Sequence, residues 1–330
     1  MRITRTSNNK WLHRFAVLVA GATCVLIFIG GLVTSTGSGL AVPDWPTTYG
    51  HFMFSFPFSQ MVGGILYEHG HRMVASVVGM LMVILAVWLW LKEPRRWVRR
   101  LGWLALFAVV LQGVLGGLTV LFLLPTPVSV SHGTLAQTFF CLTIGLAVLT
   151  SPGWKEPRTK REDTHRPSLR ALTLATTGLV FIQLIVGAIM RHSKAGLAIP
   201  DFPLAFGKII PPFDSFGIVI HFVHRAGALI VTIFIVWTVV RIFRYYHKEA
   251  LLLRPALLLS VAILAQLTLG AFTVWTEKNV WITTAHVACG ALILGASLVL
   301  ALRSNKLFYL SNSFAIYSES PKESFYLPKG

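Results

Sequence analysis

His71 opens the run His71-Arg72 at the start of an apolar stretch, and His132 stands 61 residues on at the start of another. His224-Arg225 and His286 repeat the arrangement 62 residues apart. Two imidazoles at equal depth on neighbouring helices can approach one iron from opposite faces, which is what a six-coordinate haem requires. Two such pairs predict two haem sites. A single histidine near a helix end is ordinarily an interfacial or packing residue. Four at repeated spacing, inside spans where ionisable groups are costly, point instead to ligands. Zinc fits less well, because a closed zinc site wants four tightly grouped ligands and no cysteine accompanies these histidines.

The elements that must position them are membrane helices. Of the 330 residues, 55% are hydrophobic and 12% charged, and the mean hydropathy is +0.69. That balance describes an integral membrane protein and leaves little chain for a soluble domain. A helical span needs roughly 20 apolar residues, and eight segments qualify, near 14–34, 68–91, 101–122, 129–150, 169–190, 218–240, 255–275 and 280–302. The fold class expected is therefore all-α, with eight transmembrane helices.

The net charge of +17 follows topology and is not a sign of nucleic-acid binding. Lys and Arg crowd the N-terminus, the loops near 92–100, 155–170 and 241–254, and the tail, whereas residues 35–67 and 123–128 contain none. The positive-inside rule then predicts both termini in the cytoplasm, as an even number of spans requires. Cys24, Cys141 and Cys289 all fall inside spans, so no structural disulfide is expected. The first apolar segment is too long for a signal-peptide core and reads as a retained helix. A bacterial cytoplasmic membrane is the simplest location.

The chain repeats itself. Gly39-Leu-Ala-Val-Pro-Asp-Trp-Pro46 matches Gly196-Leu-Ala-Ile-Pro-Asp-Phe-Pro203, and Gly50 matches Gly207, at an offset of 157. His71-Arg72 matches His224-Arg225 at 153, while Gln112 with Gly116, and His132, match Gln266 with Gly270, and His286, at 154. Four spans per half give both halves one orientation and predict two tandem four-helix bundles related by a pseudo-two-fold along the membrane normal. Residues 1–150 form the N-terminal half, 151–168 a cytoplasmic linker, 169–303 the C-terminal half, and 304–330 a poorly ordered cytoplasmic tail. The two Gly-, Pro- and aromatic-rich outer loops, 35–67 and 191–217, suit either interfacial anchoring or a lid.

Aligning the two His-Arg pairs sorts the spare residues. His69 faces Phe222, and Glu68 faces His221. Glu68 and His221 each lie three residues before a candidate ligand and share its helix face, whereas His69 points away. Half one thus offers a carboxylate, able to accept protons or stabilise positive charge, where half two offers an imidazole. Chemistry is expected in half one and an electron-transfer or structural haem in half two. The competing role for Glu68 is a cap at a helix N-terminus. Arg72 and Arg225 suit haem propionates, and could equally snorkel or pair with Glu68 or an outer-loop aspartate. Asp44 and Asp201, between prolines, read as turn residues. Gln112 and Gln266 read as helix–helix contacts beside small residues, with Gly116 and Gly117 open to a macrocycle.

Gly31-Leu-Val-Thr-Ser-Thr-Gly-Ser-Gly-Leu40, Pro43-Asp-Trp-Pro46, Glu68-x-x-His71-Arg72, His132, His224-Arg225 and His286 together resemble the haem A synthase family over about residues 14–302. The resemblance implies oxidation of a ring methyl of haem O to a formyl group, by stepwise hydroxylation and loss of water, in assembly of a haem-copper terminal oxidase. It implies that His224 and His286 hold a haem b cofactor, that His71 and His132 ligate the substrate haem, and that Glu68 is the family's functional acid. The implied partners are haem O, a haem O synthase (protohaem farnesyltransferase), an electron donor and further copies of the chain. Many members carry the pattern Cys-Pro-Asp-Trp-Pro-x-Cys in the first outer loop; here those cysteine positions are Val42 and Thr48. The competing reading is a two-haem b-type electron carrier without substrate chemistry, although a transmembrane carrier wants its haems at different depths. A parallel-repeat transporter would need a polar path across the middle, which the spans lack.

Overall fold

The computed structural model describes residues 9–155 and 160–309. Eight long helices carry the fold: α1 (Lys10–Ser35), α2 (Gly63–Lys92), α3 (Arg96–Leu121), α4 (Thr126–Thr150), α5 (Leu169–His192), α6 (Phe216–Tyr245), α7 (Ala250–Trp275) and α8 (Val280–Leu307). All eight are long and apolar enough to cross a membrane. Several starts are set by side-chain caps. Asn9, Ser168, Ser215 and Asn279 each accept backbone N–H groups of the first turn, which otherwise lack partners. Within the spans, hydroxyls of Thr23, Thr150 and Thr173 donate to carbonyls one turn back, which satisfies these three donors inside the bundle.

α1 packs on α2 and α4, α2 on α3, and α3 on α4; α5 packs on α6 and α8, α6 on α7, and α7 on α8. The same ring of contacts thus recurs, consistent with the expected tandem bundles. Leu12, Val78, Met82, Leu85, Leu89 and Leu146 fill the first core, and Leu169, Ile235, Ile242, Leu252, Leu259 and Leu294 the second. α1 and α4 meet α8, and α4 also meets α5, along the seam between them. Val17, Val83, Phe107, Val110, Val261 and Leu264 remain exposed, an apolar belt suited to lipid.

The helices overrun the expected spans. α2 begins at Gly63, α6 continues to Tyr245 and α8 to Leu307, because interfacial turns satisfy their backbone internally wherever the hydrocarbon ends. The expected tail accordingly starts late: Ser304–Leu307 is helix, and β2 (Phe308–Tyr309) pairs in parallel with β1 (Arg161–Glu162) of the linker. Residues 310–330, like Arg2, Arg5 and Arg158 of the basic clusters, lie outside the described residues. At this same end, basic side chains tie neighbouring elements together: Arg95 donates to the carbonyl of Leu149 in the last turn of α4, Arg241 to that of Pro167 just before α5, and Arg303 to that of Leu251 in the first turn of α7.

Buried Asp163 ties the linker to the second bundle by accepting from the Leu169 N–H, the Tyr246 hydroxyl and the His165 N–H. Burial raises its carboxyl, but these hydrogen bonds outweigh that and hold it below its ordinary value. Asp163→Ala should therefore lower stability by about 1–3 kcal/mol in detergent thermal unfolding. Because the folded value is depressed, the contribution of Asp163 is complete above the unfolded value of about 3.9 and fades as pH falls through the folded one. An unchanged melting point in the variant would refute the anchor.

Candidate functional site

The four histidines stand against four glycines. A Cβ placed on Gly30 of α1 would lie 3.1 Å from Cε1 of His71, and one on Gly187 of α5 would lie 3.0 Å from Cε1 of His224. Gly116 of α3 meets His132 at 3.2 Å, and Gly270 of α7 meets His286 at 3.1 Å. Each imidazole therefore occupies room that a side chain on the adjacent helix would fill. The rings of His224 and His286 have centroids 6.5 Å apart with planes at 72°. One metal about 2 Å from a nitrogen of each ring sets the nitrogens about 4 Å apart and the ring centroids on the order of 6 Å apart. His71 and His132 are near enough to interact electrostatically.

The donor set fits a haem better than a bare ion. Among the described residues, no three His, Cys, Asp or Glu side chains gather where they could hold a metal by themselves. Two trans imidazoles suffice only when a macrocycle brings the remaining donors. Nδ1 of His71, His132 and His286 is buried without a protein partner. Gln112 Nε2 donates to the His132 carbonyl and lies 3.2 Å from His132 Nε2, and Gln266 Nε2 lies 3.3 Å from His286 Nε2. The glutamines do join helices, as expected, but through the histidines.

Above the imidazoles, each outer loop closes on the arginine that follows the first histidine. Arg72 donates to the carbonyls of Val42 (3.0 Å), Asp44 (2.8 Å) and Thr47 (3.0 Å), and to the Glu68 carboxylate (2.7 Å). Arg225 donates to the repeat-equivalent carbonyls of Ile199 (3.2 Å), Asp201 (2.7 Å) and Leu204 (2.8 Å). Of the protein partners open to these arginines, the structure displays Glu68 and the loop carbonyls. Glu68 also accepts the Val42 N–H at 2.8 Å, where His221 Nδ1 takes the equivalent Ile199 N–H at 3.2 Å and its Nε2 faces Arg225. A carboxylate accepts both bonds, whereas a neutral imidazole accepts one. Asp44 and Asp201 are turn residues, as expected: Asp44 accepts from Tyr49 and Gly50, and Asp201 from Phe206 and Gly207.

Other placements were not expected. Gly117 is covered by the Trp45 indole, leaving no bare face there for a macrocycle. Gln183 of α5 donates to the His224 carbonyl at 2.7 Å and lies 3.0 Å from its Nδ1; its repeat-equivalent is Leu26. A signal for Gly30 and Gly187 is present in the sequence, since the outer-loop offset of 157 relates them.

An eight-helix membrane protein with two repeat-related imidazole pairs beneath arginine-clasped loops is the class that fold and site define. The chain belongs to the family described as "Cytochrome oxidase assembly protein", whose pattern matches residues 13–298. It is similar to the heme A synthase of Geobacillus kaustophilus (strain HTA426), 26% identical over 307 residues that cover 90% of this chain and 92% of the relative. It is also similar to the heme A synthase of Halalkalibacterium halodurans, 27% identical with 84% and 92% covered, and to that of Lysinibacillus sphaericus (strain C3-41), 26% identical with 90% and 97% covered.

The clasp generates a test. Partial burial raises the Asp44 carboxyl, but the Gly50 N–H, the Thr47 hydroxyl and the Tyr49 N–H bring it down to about 2. Its share of loop stability should persist above the unfolded carboxylate value of about 3.9 and disappear as pH falls towards about 2. Arg72→Lys replaces a planar fork by a point charge and should speed proteolysis of residues 42–60 on the order of tenfold, losing one or two net hydrogen bonds. Unaltered cleavage of that segment would refute the clasp.

Proposed function

We propose that this chain is a haem A synthase, an oxidoreductase of the bacterial cytoplasmic membrane that converts a ring methyl of haem O to a formyl group for a haem-copper terminal oxidase. The observation that carries the reading is the pair of repeat-equivalent imidazole sites, each ring seated against a helix glycine, in a chain of this family. His71 and His132 hold the substrate haem O; His224 and His286 hold haem b. The N-terminal half, residues 1–150, is the substrate half, residues 169–303 the cofactor half, and both termini are cytoplasmic.

Haem b, when bound, supplies one-electron chemistry. The residues around it do the rest. The glycine faces would leave room for a flat ring, which the paired imidazoles would hold. Arg72 and Arg225 serve the two rings at one remove, holding a loop over each. Glu68, buried and three residues before His71, keeps a carboxylate on the substrate side, where it takes up a proton or stabilises positive charge as the methyl carbon is oxidised. Each hydroxylation draws on dioxygen and on two electrons and two protons from an external donor. One oxygen atom enters a C–H bond of the methyl carbon and the other leaves as water. The doubly hydroxylated carbon then loses water to give the formyl group. An electron donor and a haem O synthase, the latter at the basic cytoplasmic face, are the partners this chemistry needs.

Co-expression with a haem O supply should yield extractable haem A; recovery of haem O and haem b alone would favour the two-haem carrier. His224→Ala or His286→Ala should abolish the low-spin haem b spectrum, and its persistence would overturn that ligand assignment. Glu68→Gln should retain haem yet lower conversion by about 10²-fold or more. Full conversion in Glu68→Gln would leave Glu68 only its bonds to Arg72 and the Val42 N–H.

A further inference from the structure

Gln183, Gly187 and Arg191 follow one another at four-residue spacing along one face of α5. The first two touch His224, Gln183 through its amide and Gly187 through its bare Cα. Arg191 lies one turn nearer the helix end, about 5–6 Å further along the axis. Through a single nitrogen it donates to the Gly31 carbonyl and the Ser35 hydroxyl of α1, both at 2.8 Å. It also lies within electrostatic reach of His286. Among the described residues, no carboxylate stands within ion-pair distance of it. A guanidinium has five N–H donors, and a cation at a membrane helix end without a counter-ion is costly. The repeat-equivalent stripe on α1 is Leu26, Gly30 and Thr34, with the glycine against His71 but neither the amide nor the cation.

We propose that Arg191 binds a carboxylate on the edge of the macrocycle held by His224 and His286, and so distinguishes a retained cofactor from an exchanging substrate. The inference rests on the haem b assignment above. A planar fork suits a propionate carboxylate, and the arginine shares a helix face with the two residues that seat the ring's ligand. Thr34 offers no charge at the corresponding place, which lets the ring in the first half leave after reaction.

The test uses the full chain carrying His71→Ala and His132→Ala, so that only the second pair can load. Protohaem and its dimethyl ester are loaded separately, and their transfer to excess apomyoglobin is timed. The free acid should leave about tenfold or more slowly than the ester, the ratio expected for one charge-assisted contact. Adding Arg191→Leu should bring the two rates together, and Arg191→Lys should keep part of the difference. A low-spin bis-imidazole spectrum certifies that each variant is folded and loaded; should Arg191→Leu fail that check, Arg191→Gln and Arg191→Lys carry the comparison. An acid-over-ester preference that survives loss of the guanidinium would overturn the inference. Failure of the haem b assignment gives a different signature, in which His224→Ala leaves the loaded spectrum unchanged.

Discussion

Everything in the candidate site depends on how closely a helix backbone approaches an imidazole. At Gly30, Gly116, Gly187 and Gly270 the space a methyl group would take belongs to the Cε1 edge of a histidine. The contact brings the helices close and, together with the glutamine amides beside His132, His224 and His286, sets the ring orientation. A large residue at any of the four would displace either the ring or the helix, because a packed interior transmits strain. The ring contact between α1 and α2 in the first half recurs between α5 and α6 in the second, and that between α3 and α4 recurs between α7 and α8. The spacing of the ligands is thereby a property of bundle packing. The two long cores below, around Leu85 and Ile235, hold that packing in place.

The loops add a second constraint from the opposite direction. A long loop without strands must find partners for its carbonyls, and here one arginine per half gathers three of them. The symmetry extends to the aspartate turns and to the paired Thr48–His51 and Ala205–Lys208 bridges. Against so regular a background the few differences matter. Glu68 against His221 lies three residues before the first ligand of its half, and Leu26 against Gln183 and Thr34 against Arg191 lie one turn either side of the glycine that faces that ligand. The scaffold is duplicated, as are the glutamines beside the second ligands, whereas the polar groups around the first ligands are not.

Much of this was legible in the residues. Hydropathy gives eight spans directly, because a lipid-crossing helix must be apolar along nearly its whole length. The repeat sorts His71 from His69 and His224 from His221, because aligning the two His-Arg pairs matches one histidine of each cluster. Contacts between distant segments were less legible. Nothing in the local pattern of Arg72 chooses between a propionate, Glu68 and loop carbonyls; the choice depends on how the loop between Ala41 and Gly50 folds back over α2. Gln183 and Arg191 escaped notice for the opposite reason, since they break the repeat and therefore produce no match. Residues where two halves disagree deserve the same scrutiny as those where they coincide.

The first outer loop shows how such disagreement is absorbed. At the two positions where many sequences resembling this one place cysteines, this chain has Val42 and Thr48, both fully buried. Val42 gives its N–H to Glu68 and its carbonyl to Arg72, while the Thr48 hydroxyl meets Nδ1 of His69 at 2.9 Å. His69 in turn packs against Phe56 with ring centroids 5.0 Å apart. In the second half the equivalent positions are Ile199 and Ala205, also buried, and Phe222 replaces His69. That half builds the same loop around its arginine with no thiol at either position. The loop geometry therefore does not require a covalent tie. Backbone hydrogen bonds to the arginine set its shape, and burial of two small side chains seals it. In the first half the Thr48–His69 bond adds a polar latch where the second half relies on apolar contact. The clasp over His71 needs no cysteine pair, because it runs through Arg72.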